Sequence, residues 1–126
     1  MPTVLVVADD LIWSERLATQ ARAAGAVARV VTRADALAEA LASAPDLVVV
    51  DLAGRSFDGL AAVAAAARAG VTVIAVAQHE EHDLRRRALA AGARRVYAYA
   101  KIHADGATVL AQWLPAAAAS RGREHP

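Results

Sequence analysis

The chain contains no cysteine, a single methionine, a single phenylalanine and a single lysine, Lys101. Without cysteine there is no disulfide framework, no thiolate zinc site and no cysteine nucleophile. An excess of one charge is also missing. Fourteen basic residues stand against 13 acidic ones, a formal +1, so the chain carries no basic footprint for nucleic acid, and any role at DNA has to come through a partner. Long apolar runs are absent too: the longest, Leu60 to Ala67, is far shorter than the ~20 residues that span a membrane. The opening MPTVLVVADD has no positive region and meets Asp9 and Asp10 at once, so it does not read as a signal peptide, and a cytoplasmic location is expected. No GxGxxG, Walker-type or GxSxG motif is present, which leaves nucleotide cradles and a nucleophile elbow unsupported.

What is abundant is alanine, 36 of 126 residues, so the 57% hydrophobic content overstates the core. Alanine sits on exposed helix faces at little cost, and the core proper is expected to be Val, Leu and Ile. Short β-branched runs alternate with longer Ala/Leu segments of helical spacing, the pattern of a parallel sheet with crossover helices. Strands are expected at Thr3 to Ala8, Ala28 to Val31, Leu47 to Val50, Val71 to Ala77 and Arg95 to Ala100. The first, third and fourth are apolar on both faces and read as central; the second and fifth are mixed and read as edges.

Helices are expected at about Leu11 to Ala24, Ala34 to Ala44, Asp58 to Ala69, Glu81 to Ala91 and Asp105 to Leu114. Gly25, Gly70 and Gly92 stand where left-handed C-caps are wanted, and Pro45 closes the second helix. Thr32 with Asp35 has capping spacing, and Asp58 and Asp105 are suited to cap the helices they open. This makes one α/β domain over residues 1–115, a doubly wound sheet, with 116–126 as a flexible tail or linker.

In such a sheet the ligand site lies beyond the carboxyl ends of the strands. Asp9 and Asp10 follow the first strand, Asp51 the third, and Ala77, Gln78 and His79 the fourth, with Lys101 near the fifth. Three carboxylates gathered at one edge repel unless a cation shares the site, so weakly held, oxygen-ligated Mg²⁺ at Asp9, Asp10 and Asp51 is the natural guest. The plainer alternative for Asp10 is a helix cap. His79 and His82 flank Glu80 and Glu81, and His103 follows the fifth strand, but HEEH is not the zinc-protease arrangement, and solvated loop residues are expected.

The segment PDLVVVD, with Asp58-Gly59 seven and eight residues beyond Asp51, resembles the bacterial response-regulator receiver domain, and the likeness extends over roughly residues 3 to 114. The resemblance implies a flavodoxin-like sheet ordered 2-1-3-4-5 with helices on both faces. It also implies a two-component phosphorelay in which a histidine kinase or other signalling protein is the partner and Asp51 is the phospho-acceptor. Asp9 matches the second acid of the metal pair, because Gly25 lies the usual distance beyond it, and the first acid falls on Ala8. Ala77 stands where the family has a phosphate-sensing hydroxyl, and Arg55 replaces the usual Pro. The phosphate-pairing Lys position falls on Tyr99. Lys101 is two residues on, sharing strand parity with Tyr99, and is expected to reach back to the site.

Ala77, Tyr97 and Tyr99 are therefore the switch positions to examine. These departures point to a divergent receiver, a pseudo-receiver working through protein–protein contact, with no enzymatic activity beyond self-phosphorylation at Asp51. A conventional Mg²⁺-dependent phospho-receiver is the nearest alternative. A small α/β ligand-binding protein or hydrolase is the alternative from another class. The fifth strand and its flanking helices carry Tyr97, Tyr99, Val109, Trp113 and Arg85 to Arg87, a mixture enriched in interfaces, so a read-out or homodimer face is expected there. Trp13 is expected to help pack the first helix or to lie at its start, with no chemistry of its own.

Overall fold

Val4, Leu5, Val6 and Val7 are all buried, as are Val48, Val49, Val50 and the whole of Val73–Ala77. Residues that alternate between two faces and are buried on both belong to a sheet covered on each side. The computed structural model describes residues 1–115, so the tail expected from Ala116 lies outside the described residues. Five parallel strands, β1 (Thr3–Val7), β2 (Val27–Val31), β3 (Leu47–Asp51), β4 (Val73–Ala77) and β5 (Val96–Ala98), line up in the order β2-β1-β3-β4-β5. The helices between them are α1 (Leu11–Ala23), α2 (Leu37–Ala42, entered through a 3-10 turn at Ala34–Ala36), α3 (Gly59–Arg68), α4 (His82–Ala91) and α5 (Tyr99–Trp113).

The alternation splits the core into two layers. Val4, Val6, Leu47, Val49, Ile74 and Val76 meet Leu17 and Ala21 of α1 and Ile102, Val109 and Leu110 of α5. Leu5, Val7, Val48, Val50, Ala75 and Ala77 meet α2, α3 and α4 through Leu37, Val63, Ala66 and Ala88. Asp51 continues the parity of Leu47 and Val49, so its carboxylate emerges on the α1/α5 side. Ala77 belongs to the other layer.

Helix punctuation follows the sequence at most ends. Asp58 caps α3 through Oδ1, accepting from Leu60 N at 3.0 Å and Ala61 N at 3.2 Å. Gly92 closes α4 at φ +121°, a backbone that side chains rarely adopt. Two expectations differ. Thr32 and Asp35 form no capping interaction: Arg33 occupies the N-cap without a side-chain cap, and its guanidinium takes Asp35 at 2.9 Å. The fifth helix does not wait for Asp105 but starts at Tyr99, with a break at Asp105 (φ −132°, ψ 24°) dividing two helical stretches. No Pro follows Tyr99 to hold it out of the helical region, so the backbone turns helical as soon as β5 ends.

Candidate functional site

Parallel register sets one edge of the sheet. Val7 pairs with Val50, Asp51 with Val76 and Ala77 with Ala98, so the residues just beyond these pairs share a rim. Asp51 is 2% exposed, and its Oδ1 accepts from Ala53 N at 3.1 Å and from the Tyr99 hydroxyl. Burial pushes the Asp51 carboxyl above its ordinary value; the bonds from Tyr99 and Ala53 oppose that, and the nearby charges of Asp10 and Asp9 add to the rise. Burial, then the bond to Asp51, pushes the Tyr99 phenol far above its ordinary range, which keeps the hydroxyl a donor.

The other acids are already engaged. Asp10 caps α1, its Oδ1 accepting from Trp13 N at 2.9 Å, so the plainer alternative for this residue describes one of its oxygens. Asp9 Oδ2 accepts from Arg55 N at 2.8 Å and Ser56 N at 2.5 Å, tying the β1–α1 loop to the β3–α3 loop. Burial alone raises the Asp9 carboxyl, but the hydrogen bonds from Ser56 and Arg55 outweigh it and lower the net value. The expected three-carboxylate cage for Mg²⁺ is therefore not assembled: Asp9 is turned to the loop, and no group of three His, Cys, Asp or Glu suited to a metal occurs among the described residues. Asp10 and Asp51 each keep a second oxygen with no hydrogen bond from the described residues.

Asp10, Trp13, Asp51, Ala53, Gln78 and Tyr99 line a cavity of about 270 Å³. Trp13 meets Tyr99 with ring centroids 4.7 Å apart and planes tilted by 52°, so it belongs to the site and does not merely pack its helix. Its signal in the sequence was position. Three residues beyond a capping aspartate, a side chain lies one turn into the helix and near the strand ends. Ala77, buried in the opposite layer, does not reach this cavity, and Gln78 lines it instead.

Lys101 is not brought to the site. Because Tyr99 begins a helix, Lys101 lies two helical steps around from it, where a strand would place both on one side. Its ammonium pairs with Asp105 at 3.0 Å on the exposed face of α5. Tyr99 alone occupies the place expected to hold the phosphate-pairing cation.

The expected read-out face is largely turned inward. Tyr97 and Val109 are buried between β5 and α5, and Trp113 Nε1 donates to the Tyr97 hydroxyl at 2.8 Å. Arg85 donates to the Val96 carbonyl at 3.0 Å and Arg86 pairs with Asp83, while Arg87 is exposed. His79 and His82 are exposed with ring centroids 6.3 Å apart, and His103 is exposed on α5.

No protein-family model and no curated protein matches the chain. Solved structures do. A response regulator receiver protein from Burkholderia phymatum is 29% identical over 79% of this chain and 83% of its own, with a TM-score of 0.67. A response regulator protein from Burkholderia pseudomallei, solved with a phosphorylated aspartic acid, a calcium ion and citrate, is 21% identical over 99% of this chain and 74% of its own, with a TM-score of 0.76. NtrX from Brucella abortus is 25% identical over 77% of this chain, which spans only 23% of that protein, with a TM-score of 0.68. With five parallel strands in the order 2-1-3-4-5 and an aspartate closing the third of them at the carboxyl edge, the chain has the fold of the response-regulator receiver domains to which it is similar.

Proposed function

We propose that this receiver is a divergent one that signals through protein–protein contact, with Asp51 held in a hydrogen bond by Tyr99 where a conventional receiver would accept phosphate. The observation that carries this reading is the Tyr99 hydroxyl on Asp51 Oδ1. A carboxylate attacks phosphorus through an oxygen lone pair, with a cation to shield the approaching anions and another to stabilise the transferred group. Here Oδ1 already accepts two hydrogen bonds, the only lysine is paired with Asp105, and Ala77 has no hydroxyl to follow a phosphate. Mg²⁺ at this edge has Asp10 and Asp51 as its protein ligands and water for the remainder, a weak site. The domain catalyses nothing of its own. Its partner is a histidine kinase or another signalling protein in the cytoplasm, or a second copy through the β5 side.

The test is intact-mass measurement after incubation with acetyl phosphate and Mg²⁺. The native chain is expected to show no phosphoryl adduct, and Tyr99→Lys, which returns an ammonium and frees Oδ1, to acquire one that Asp51→Asn removes. A stoichiometric adduct on Asp51 of the native chain would establish the conventional phospho-receiver instead.

A further inference from the structure

The α5 helix is broken although it contains no proline. Asp105 leaves the helical region at φ −132°, ψ 24°, and Ile102, three residues earlier, gives its carbonyl to a side chain of another helix: Gln20 of α1 donates from Nε2 at 2.8 Å. In an unbroken helix that carbonyl takes the backbone N–H four residues on, here that of Gly106. The Gln20 carboxamide stands where a Cβ on residue 106 would have to lie, so glycine at this position is what admits it. A side chain entering the backbone ladder is one of the few causes of a sharp break, and here it comes from α1.

The same face of α1 reaches Asp51. Trp13, two helical turns before Gln20, meets the Tyr99 ring with centroids 4.7 Å apart. The stretch from Tyr99 to Ala104 is therefore held by α1 at both ends, ring against ring at its start and carboxamide to carbonyl near its end, with the Ile102 side chain buried in the layer beneath. That stretch carries the Tyr99 hydroxyl onto Asp51 Oδ1. The hold at Ile102 is weak by construction. Gln20 Oε1 is enclosed with no hydrogen-bond partner among the described residues, and a bond formed while the same carboxamide leaves an acceptor unpaired adds little net stability, which suits a contact that opens.

We propose that Gln20 is the positioning residue of the Tyr99–Asp51 bond: its bond to the Ile102 carbonyl latches the first stretch of α5 to α1, and release of that latch lets the stretch swing at Asp105 and lifts Tyr99 from Asp51. The inference rests on the reading that Tyr99 withholds Asp51 from phosphoryl transfer, and it names what controls that hold. Ala77 has no hydroxyl to couple Asp51 to the rest of the domain, and the latch supplies a coupling through α1 in its place. A partner that shifts α1 against α5 then changes the state of Asp51 without touching it.

The experiment follows the Tyr99 phenol in the full chain, by NMR of tyrosine labelled at Cζ, as pH is raised. In the native chain burial and the bond to Asp51 keep this phenol protonated far above its ordinary range. Gln20→Leu, which fills the space without a donor, is expected to bring the titration down by about one pH unit, a tenfold loss of proton affinity. Gly106→Ala, which displaces the carboxamide from the other side, is expected to do the same. In Gln20→Ala the space is vacated. Adding Gly106→Ala there is expected to leave the Tyr99 titration where Gln20→Ala alone put it, and to raise the unfolding midpoint because alanine favours a helix over glycine. A Tyr99 titration that keeps its native position in Gln20→Leu and Gly106→Ala, with only the unfolding midpoint lowered, would make Gln20 merely structural and overturn the inference. Equal effects of Gly106→Ala in the native and Gln20→Ala backgrounds would overturn it too, and this comparison decides the matter if Gln20→Leu does not fold. Either result in a native chain that refuses the phosphoryl group removes only this inference, whereas a phosphoryl adduct on Asp51 of the native chain removes the reading beneath it.

Discussion

A phenol at Tyr99, where the receiver resemblance implies an ammonium, gives Asp51 a directed hydrogen bond in place of charge pairing. Removing one partner of a buried bond leaves the other with its desolvation cost, so Tyr99→Phe is expected to destabilise the domain by about 1–3 kcal/mol in urea unfolding, and an unchanged midpoint would deny the bond any role. The two strand-end acids should respond to pH in opposite senses. Asp51 is raised in the folded state, so its contribution is fully present below the ordinary carboxylate value of 3.8 and is lost as pH rises through the folded value. The native chain should therefore lose stability relative to Asp51→Asn as pH climbs. Asp9 is lowered, so its contribution is present above 3.8 and disappears as pH falls through the folded value, and the advantage of the native chain over Asp9→Asn should vanish in acid. Unfolding midpoints of the three proteins measured across pH check both signs.

Among the elements, the helix ends explain what could be read in advance and what could not. Asp58 announced α3 because a capping carboxylate followed by an apolar helical run is a local signal. Asp105 sent the same signal and marks a real break in α5, but the preceding turn, Tyr99 to Ala104, has no side-chain cap and begins behind Ala98. Strand parity therefore placed Lys101 beside Tyr99, and a change of period from 2 to 3.6 at that point moved it away. The Tyr99–Asp51 bond, spanning 48 residues, and the Asp9 latch on Arg55 and Ser56 are tertiary contacts that spacing alone does not encode. Glycine turns were legible, yet not their unequal cost. Gly92 combines φ +121° with a Cβ position 2.5 Å from the Ala67 methyl, whereas Gly25 at φ +93° has open space. Gly92→Ala is expected to destabilise by about 2 kcal/mol or more and Gly25→Ala by about 1 kcal/mol, and thermal unfolding giving equal losses would contradict this packing.

At the scale of the whole molecule, strand order was recoverable because right-handed crossovers leave few arrangements for valine-rich strands buried on both faces and the resemblance to receiver domains implied 2-1-3-4-5 among them. That order brings Asp10, Asp51 and Tyr99 from the first, third and fifth βα units to one rim, while parity sends Ala77 to the opposite layer. A signal at Asp51 reaches the β5 side only through groups whose contacts differ between two states, and a ligand without differential contacts shifts no equilibrium. Tyr99 closes on Asp51 and Tyr97 is bonded to Trp113, and on the proposed reading these contacts hold the domain in one arrangement. The direct test is backbone NMR with beryllofluoride, a phosphoryl mimic, and Mg²⁺ on the native chain beside Tyr99→Lys. The native chain should show no saturable shift at Asp51, Ala53, Tyr97 or Trp113, and the lysine variant should show one at Asp51 and Ala53. Saturation of the native chain, spreading from Asp51 to Tyr97 and Trp113, would contradict the account and make Asp51 an ordinary acceptor.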